Sequence, residues 1–376
     1  MNVLVNFGTL KGGGGQNFGL NFLNALAGTE KNGIEFFFIV AESSSIRTLL
    51  QKSGKYPYVV VPDHPLRRMY FERFRSGRIL KEYSIDLIYS YFGYGLFPKT
   101  VRQVCGAADS NLFFPQIDFW AGYKGLARLK REWTDKFRIS GLKKADGIIF
   151  ENELLEQKCH ELFSIKGMTT TIRPSISLDY PSSSCELPQV IRQKRKGLFL
   201  CGWHRNKNIL LIPRIARCLK DSGTDFHFIL TAPKDNSSMH QQFTKLCNDY
   251  GVTGDITILG PVGKEKLQDL YRQTDIVFLL SKLESFSNNI IEAWNYRRVL
   301  LVADEPWAHA LCHEAATYVD RDSPDAIADR ISRLLSDTEL YERIVKKGIE
   351  ELSAYPSVQE RTREELKFLK TIYEQN

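Results

Sequence analysis

Short apolar segments alternate with longer amphipathic ones along the whole chain, and this alternation restricts the fold more than any other feature. The apolar segments are rich in β-branched and aromatic residues, as are strands that are covered on both faces of a parallel sheet. In the first half the predicted strands are NVLVNF, EFFFIV, YVVV, DLIYSY, NLFF and GIIF. In the second half they are GLFLCG, DFHFILT, DITILG, DIVFLL and VLLVAD. The pattern predicts an α/β fold built from doubly wound parallel sheets.

The strand-helix pattern runs through twice, which predicts two Rossmann-like domains that face a cleft. The 376 residues also fit two domains better than one. Residues 179–196 are rich in proline, serine and charge and lack periodicity, so they are the best candidate for a linker. We therefore predict an N-terminal domain over residues 1–180 and a C-terminal domain over residues 181–356. Beyond these, apolar residues fall largely on one face of a closing helix: Leu366, Phe368, Leu369, Ile372 and Tyr373.

Composition limits where the protein works and what it binds. Seven scattered cysteines without a CxxC motif indicate a reduced, cytoplasmic protein without a disulfide framework. The start of the chain lacks the basic region of a signal peptide. Its apolar runs also fall short of the roughly 18 residues that span a bilayer. A net charge of +7 indicates an anionic partner, which could be phosphate, nucleic acid or a lipid surface.

Four consecutive glycines, Gly12 to Gly15, follow the first predicted strand and precede an amphipathic helix. Glycine allows a ligand to approach the backbone closely, and a helix N-terminus favours an anion. The segment matches neither GxGxxG nor GxxxxGK[ST], so the alternative of a flexible loop stays open.

The corresponding turn of the second half is basic. His204, Arg205 and Lys207 precede a predicted helix, where cations oppose the helix dipole. A bound phosphate would compensate this unfavourable placement. The alternative is a basic turn that is simply solvated.

Two glutamates, Glu284 and Glu292, flank a polar run that follows the predicted strand DIVFLL. Asn288 is the expected N-cap of the next helix, which would place Glu292 in its first turn. The amides of residues 288–290 would then point at an anion, while carboxylates accept hydrogen bonds from sugar hydroxyls. This combination predicts a sugar-nucleotide site.

These segments resemble the family 4 retaining glycosyltransferases of the GT-B fold, whose hallmark is E-x7-E in the second domain. Here the motif runs from Glu284 to Glu292, and Asn289 replaces the family's usual proline. The resemblance covers the second domain almost throughout, from DFHFILT to the final helices. It implies that Glu284 acts at the transferred sugar and Glu292 binds the ribose hydroxyls. The donor-binding residues that it implies are Gly13, Gly14, Gly15, Arg205, Lys207, Ser287, Asn288, Asn289, Ile290 and Glu292.

The resemblance also implies a reaction. A sugar would pass from a nucleotide-diphosphate-sugar donor to a hydroxyl of a glycan or lipid-linked acceptor, with retention and without a metal or other cofactor. Such enzymes serve the synthesis of cell-surface polysaccharides and glycoconjugates, and their last helix crosses back to the first domain. The alternatives are a GT-B sugar-nucleotide epimerase and a basic nucleic-acid-binding protein, although no RNP, zinc-finger or helix-turn-helix signature occurs.

Two stretches of the first half combine basic and aromatic residues. Residues 66–82 carry six Lys or Arg with three aromatic residues, and residues 120–144 carry eight Lys or Arg with Trp120, Tyr123 and Trp133 among their aromatic residues. Such stretches can lie on an anionic membrane, here at the inner face, or they can be solvated helix faces.

His309 and His313 are one helical turn apart, but a zinc site needs further ligands in a defined geometry. We therefore expect no metal at this pair.

Overall fold

The computed structural model describes residues 1–30, 33–93, 97–175 and 183–375. The chain divides into two compact units. Unit 1 comprises Met1–Ser177 together with Tyr355–Asn376, and unit 2 comprises Leu178–Ala354. The sequence places the corresponding boundaries at residues 180 and 356.

Unit 1 is built on a parallel sheet that has seven strands within the described ranges. They are β1 Asn2–Phe7, β2 Glu35–Ala41, β3 Tyr58–Val61, β4 Leu87–Ser90, β5 Arg102–Ala107, β6 Gly147–Phe150 and β7 Met168–Thr171. Their order is β3-β2-β1-β4-β5-β6-β7. The central strands are mostly apolar and buried, as expected for a parallel sheet whose faces are covered by helices.

The helices of unit 1 come from both ends of the chain. They are α1 Gly13–Leu26, α2 Ser45–Ser53, α3 Pro65–Tyr70, α4 Ser76–Glu82, α5 Gly125–Leu142, α6 Glu153–Leu162 and, as the last of the chain, α14 Val358–Glu374. A π-helical turn, Phe71–Arg75, joins α3 directly to α4.

Unit 2 has a parallel sheet of six strands among its described residues. They are β8 Arg195–Phe199, β9 Phe226–Leu230, β10 Ile256–Ile258, β11 Ile276–Leu279, β12 Val299–Ala303 and β13 Thr317–Val319. Their order is β10-β9-β8-β11-β12-β13. The helices are α7 Ile212–Asp221, α8 Ser238–Asp249, α9 Lys264–Arg272, α10 Asn288–Asn295, α11 Pro306–Cys312, α12 Pro324–Ser336 and α13 Thr338–Leu352.

Both sheets reverse their strand order at one point, between β1 and β4 in unit 1 and between β8 and β11 in unit 2. This is the order of doubly wound Rossmann-like sheets, in which ligands bind beside the carboxyl ends of the strands at the reversal. The predicted fold class, α/β with two doubly wound parallel sheets, is confirmed.

Three strands differ from the prediction. NLFF is not a strand, since Ser110–Leu112 forms a 3-10 turn, and the strand of that region is Arg102–Ala107. The edge strands Met168–Thr171 and Thr317–Val319 were not predicted. All three missed strands are short or carry polar residues, so they lack the continuous apolar run on which the prediction depends.

The predicted linker is wrong for residues 183–196, which pack on unit 2, whereas residues 179–182 lie outside the described part of the chain. The backbone N–H of Cys185 donates to Asp269 Oδ2 at 2.7 Å. Leu187 is 2% exposed. Apolar residues scattered among proline and serine therefore anchor this segment, although they have no helical or strand period.

The last helix, α14, belongs to unit 1, where it packs against α1, β4 and β5. Ser357 and Glu360 form a capping box at its start. Four of the five apolar residues predicted to share a face are buried, and Tyr373, in the last turn, is 43% exposed. A tyrosine at the rim of such a face keeps its hydroxyl hydrated.

An ion pair lies under α14 and fixes the helix to the sheet. Arg361 and Glu365 are 2% and 0% exposed, and Arg361 Nε donates to Glu365 Oε1 at 3.0 Å. Tyr91 of unit 1 donates its hydroxyl to the same oxygen at 2.9 Å, and Tyr89 donates at 3.4 Å. The guanidinium also lies 4.8 Å from the ring centre of Phe18. One carboxylate oxygen thus gathers three donors from two elements.

Removing this carboxylate should destabilise unit 1 strongly. We expect Glu365→Ala to lower the free energy of unfolding by about 3–5 kcal/mol, because it removes the carboxylate to which the buried Arg361 guanidinium donates. Glu364→Ala, one position away on the exposed side of α14, is the matched control and should change it by less than about 0.5 kcal/mol. Urea unfolding of both variants measures the difference, and equal losses would contradict the structural role of the pair.

Candidate functional site

The strand reversal of unit 2 brings together the two segments in which the sequence predicts a site. The turn after β8 carries Arg205 and Lys207, and the loop after the neighbouring strand β11 carries Glu284 and leads into α10. Both segments leave the carboxyl ends of parallel strands, so they meet at the same edge of the sheet.

Asn206 fastens these two segments to each other. Its side-chain Nδ2 donates to the Leu283 carbonyl at 2.8 Å, and the Leu283 N–H donates to its Oδ1 at 3.1 Å. The Lys282 N–H donates to the Asn206 carbonyl at 2.9 Å. The sequence analysis did not identify this residue, because nothing in the local pattern shows that a side chain between two cations reaches a loop 77 residues away.

Lys207 and Glu284 form an ion pair, in which Lys207 Nζ donates to Glu284 Oε1. Their side chains are 24% and 12% exposed, so the attraction is stronger than between fully solvated charges. Lys207, predicted to bind the diphosphate, and Glu284, predicted to be catalytic, are therefore in direct contact. Arg205 lies in the same 3-10 turn, Arg205–Lys207, and is exposed.

The start of α10 differs from the prediction by one residue. Ser287, not Asn288, is the N-cap, since Ser287 has extended backbone angles and its carbonyl accepts the Ile290 N–H at 3.0 Å. Glu292 is consequently the fifth residue of the helix and lies beyond its first turn. The bond from Ile290 also limits the predicted anion-binding amides to those of Asn288 and Asn289.

Asn289 is the second residue of α10, and its side chain makes a contact that a proline at this position could not make. Its side-chain Nδ2 donates to the carbonyl of Leu200, directly after β8, at 3.1 Å. The residue is 8% exposed. Asn289 thus ties the start of α10 to the segment after β8, and Asn206 ties the basic turn to the loop before α10.

Glu292 is a half-buried carboxyl group with an unusual environment. Burial raises the pKa of Glu292 to about 7, against the opposing effects of a hydrogen bond from Tyr271 and the charge of Lys264. The Tyr271 hydroxyl donates to Glu292 Oε2 at 2.7 Å, and its ring stacks on Tyr296 at 5.1 Å. A carboxyl group whose pKa is shifted this far, beside a strand reversal, is typical of a functional site.

The three glycines Gly13, Gly14 and Gly15 belong to unit 1 and lie at its own strand reversal, after β1. They form the first turn of α1 rather than a loop before it, and Gly12 is the extended N-cap. A Cβ atom added at Gly14 would meet nothing within 4 Å, whereas one at Gly15 would lie 3.3 Å from Leu10 Cδ2. The first turn is therefore open on the side of Gly14, where its amide N–H groups can donate hydrogen bonds to an anion.

The histidine pair has structural partners. His309 stacks on Tyr318 at 4.0 Å and contacts Asp304 Oδ1 at 2.6 Å. His313 follows α11 with a φ of 43° and contacts Glu351 Oε1 at 3.1 Å. Across the described ranges, no group of three or more His, Cys, Asp or Glu residues could hold a metal ion.

Comparison with protein families gives a match in unit 2. Residues 194–351 match the family Glycosyl transferases group 1. The match contains Arg205, Lys207, Glu284 and Glu292, so unit 2 carries a glycosyl transferases group 1 domain. A search of curated protein sequences finds no match.

Solved structures establish the fold of the whole chain. A sucrose-phosphate synthase from Thermosynechococcus elongatus superposes with a TM-score of 0.74 at 16% identity, covering 99% of both chains. Anabaena HepE in complex with UDP-glucose gives 0.73 at 15% identity, covering 99% of this chain and 100% of HepE. A glycosyltransferase from Rickettsia africae gives 0.72 at 14%, covering 100% of this chain and 99% of the other. The chain has the GT-B fold.

The pKa of Glu292 predicts a pH-dependent stability. Its folded-state value, about 7, is above its ordinary value of 4.5, so the folded protein holds this proton more tightly than the unfolded chain. Stability should therefore fall as the pH rises from about 4.5 to 7. Glu292→Gln, which stays neutral, should be more stable than the parent at pH 8 by on the order of 3 kcal/mol, and this advantage should vanish near pH 4.

Chemical unfolding of the parent and Glu292→Gln across this pH range measures the effect. The control is Glu314→Gln, since Glu314 is an 82% exposed glutamate of the same unit. If the parent and Glu292→Gln keep a constant difference at every pH, the carboxyl group does not titrate in this window.

Proposed function

We propose that this protein is a family 4 retaining glycosyltransferase, which transfers a sugar from a nucleotide-diphosphate-sugar donor to a hydroxyl of a glycan or lipid-linked acceptor. The observation that carries the proposal is the contact between Lys207 and Glu284 at the strand reversal of the group 1 domain, with Glu292 on the helix that follows the same loop. The proposal includes a role in cell-surface polysaccharide or glycoconjugate synthesis at the cytoplasmic side of a membrane.

These residues supply the groups that such a donor requires. Lys207 is a cation for the diphosphate, and the first amides of α10, from Asn288 and Asn289, add two donors at a positive helix end. Glu292 is an acceptor for ribose hydroxyls, and Glu284 is an acceptor for hydroxyls of the transferred sugar. HepE, with the same fold, has been solved with UDP-glucose, which supports a nucleotide sugar as the donor.

The ion pair between Lys207 and Glu284 would have to open when the donor binds. In the free protein Glu284 holds Lys207 in the site, so the two charges compensate each other. An arriving diphosphate competes for the ammonium group. As Lys207 turns to the phosphates, Glu284 becomes free to accept hydrogen bonds from the sugar beside them.

The transfer itself follows from the same groups. The bond between the anomeric carbon and the diphosphate oxygen breaks, and Lys207 with the α10 amides stabilises the negative charge on the departing oxygen. The acceptor hydroxyl forms the new bond on the same face of the sugar and gives its proton to that diphosphate oxygen. This scheme retains the anomeric configuration and uses no metal ion.

The two cations of the basic turn should differ in donor binding. Lys207→Ala should weaken nucleoside diphosphate binding by about 10- to 150-fold, because it removes a charged hydrogen bond of about 1.5–3 kcal/mol. Arg205→Ala, in the same turn but exposed, should cost less than about fivefold. The nucleoside without phosphates should bind both variants equally, and titration calorimetry measures all four cases. An equal loss in both variants would contradict the assignment of Lys207.

The two glutamates should separate binding from turnover. Glu292→Ala should lower the affinity for a nucleoside diphosphate by about 10- to 150-fold, since the diphosphate carries the ribose. Glu284→Ala should leave this affinity unchanged or raise it, because Lys207 loses a competing carboxylate, while transfer to acceptor collapses. Calorimetry and transfer rates, measured with UDP, GDP and ADP sugars, distinguish the two roles.

The exposed Glu314 provides the matched control, and Glu314→Ala should resemble the parent in both measurements. If Glu284→Ala and Glu292→Ala also bind and turn over like the parent, the E-x7-E spacing is coincidental. The proposed donor site would then be wrong.

A further inference from the structure

Helix α5 of unit 1 exposes large apolar side chains on one face. Leu126, Leu129 and Trp133 are 86%, 61% and 60% exposed. Their spacing of three and four residues places them on one side of the helix. Trp133 also stacks on Phe137, 6.0 Å away on the same side, which extends the apolar stripe along the helix.

The segment formed by α3, the π-helical turn and α4 repeats this arrangement. Leu66, Tyr70 and Phe74 are 66%, 54% and 69% exposed, at intervals of four residues. The rings of Tyr70 and Phe74 lie 5.3 Å apart, so they form one continuous patch. Isolated exposed apolar residues are normal on a protein surface, but two ordered stripes indicate a surface that binds a partner.

One cavity connects the two helical segments. It measures about 420 Å³ and is bordered by Arg73 from the π-helical turn and by Phe137 and Lys144 from the α5 side. Lys99 also lines it. The cavity therefore has three cationic side chains and lies between the π-helical turn and the C-terminal part of α5. We call the six exposed residues the docking face: Leu66, Tyr70, Phe74, Leu126, Leu129 and Trp133.

The cations of α5 divide into two groups, which the sequence could not distinguish. Arg128 pairs with Asp118 and Glu132, and Arg131 lies 3.7 Å from the ring centre of Tyr123. Lys130 and Lys136, in contrast, are exposed and flank the apolar stripe. The arginines thus serve the packing of α5, and the lysines border the docking face.

We propose that unit 1 binds the surface of an anionic lipid bilayer through the docking face. The apolar side chains would enter the interface between head groups and acyl chains, where tryptophan and tyrosine are favoured. Lys130, Lys136 and the cavity with Arg73 and Lys144 would contact the anionic head groups. Among the described residues, no helix is long and apolar enough to cross a bilayer, so the contact is peripheral.

Charge favours a bilayer over the other partners that an apolar face could have. A second copy would present the same patch in a two-fold contact and would set lysine against lysine. Nucleic acid would satisfy the cations but would leave Leu126 and Leu129 without a function. An anionic bilayer satisfies both, and the proposal is independent of the donor chemistry of unit 2.

Sedimentation of the full chain with vesicles tests the proposal. The parent should sediment with vesicles of equal parts phosphatidylcholine and phosphatidylglycerol, and not with phosphatidylcholine alone. High salt should weaken binding, since exposed charges are screened over about 8 Å at physiological ionic strength. The triple variant Leu126→Ser, Leu129→Ser, Trp133→Ser should bind at least about 100-fold more weakly.

Matched controls come from unit 2. Val190 is 78% exposed there, so Val190→Ser should leave vesicle binding unchanged. The pair Lys130→Gln with Lys136→Gln should weaken binding to anionic vesicles. The pair Lys234→Gln with Lys245→Gln removes the same charge from exposed lysines of unit 2 and should not.

Brominated acyl chains give a second measurement that does not depend on affinity. They should quench the fluorescence of Trp133 when the protein is bound. Trp133→Phe retains an apolar ring and should still sediment with the vesicles, but it should lose this quenching. This variant keeps the test informative if the triple variant does not fold.

Three results would overturn the proposal. The first is equal sedimentation with neutral and anionic vesicles, and the second is parent-like sedimentation of the triple variant. The third is the absence of vesicle binding together with a dimer, or a DNA complex, that the triple variant loses, since the face would then serve that partner.

Discussion

A parallel sheet must be covered on both faces, and this constraint decides where the protein can carry chemistry. In both units the helices bury the faces of the sheet, and the strand ends are left as the places where polar side chains can converge. The strand reversal then selects one pair of ends in each sheet. The glycines follow β1, at the reversal of unit 1. Lys207 and Glu284 follow β8 and β11, at the reversal of unit 2, and Glu292 lies on the next helix. The strand order, and not a local sequence preference, decides these positions.

The sequence predicts the fold well because most central strands can be identified from their apolar composition. β2, β11 and β12 contain continuous apolar runs of four or more residues and β1 is mostly apolar, whereas the missed strands β5, β7 and β13 are polar or short. Glu284 and Glu292 can be proposed as site residues for a similar reason, since glutamates at a fixed spacing after a buried strand form a recognisable pattern. The residues that hold the site were not accessible. Asn206 and Tyr271 act through contacts with Leu283 and Glu292 that only the folded chain creates.

The last helix, α14, also shows that the sequence does not reveal the partners of buried polar residues. Its apolar residues predict which face is buried, but Arg361 and Glu365 lie on that face as well and are more deeply buried than most apolar neighbours. In the sequence they read as a solvent-facing pair four residues apart. The packing of α14 on α1, β4 and β5 buries them, and the Tyr91 hydroxyl, 274 positions before Glu365, donates to the carboxylate. Periodicity therefore locates a helix face, while the partners of a polar residue on it have to be found in the structure.

Two ion pairs, Arg361 with Glu365 and Lys207 with Glu284, differ in how far a ligand can reach them. Arg361 and Glu365 are nearly inaccessible, so no ligand can replace either partner, and the pair can only stabilise the packing of α14. Lys207 and Glu284 are 24% and 12% exposed, so an anion can reach the ammonium group and compete with the carboxylate. Glu292 differs from both pairs, because its burial makes ionisation unfavourable in the free protein. The hydrogen bond from Tyr271 offsets only part of this cost, so further hydrogen bonds donated to the carboxylate by a ligand would favour its ionised form.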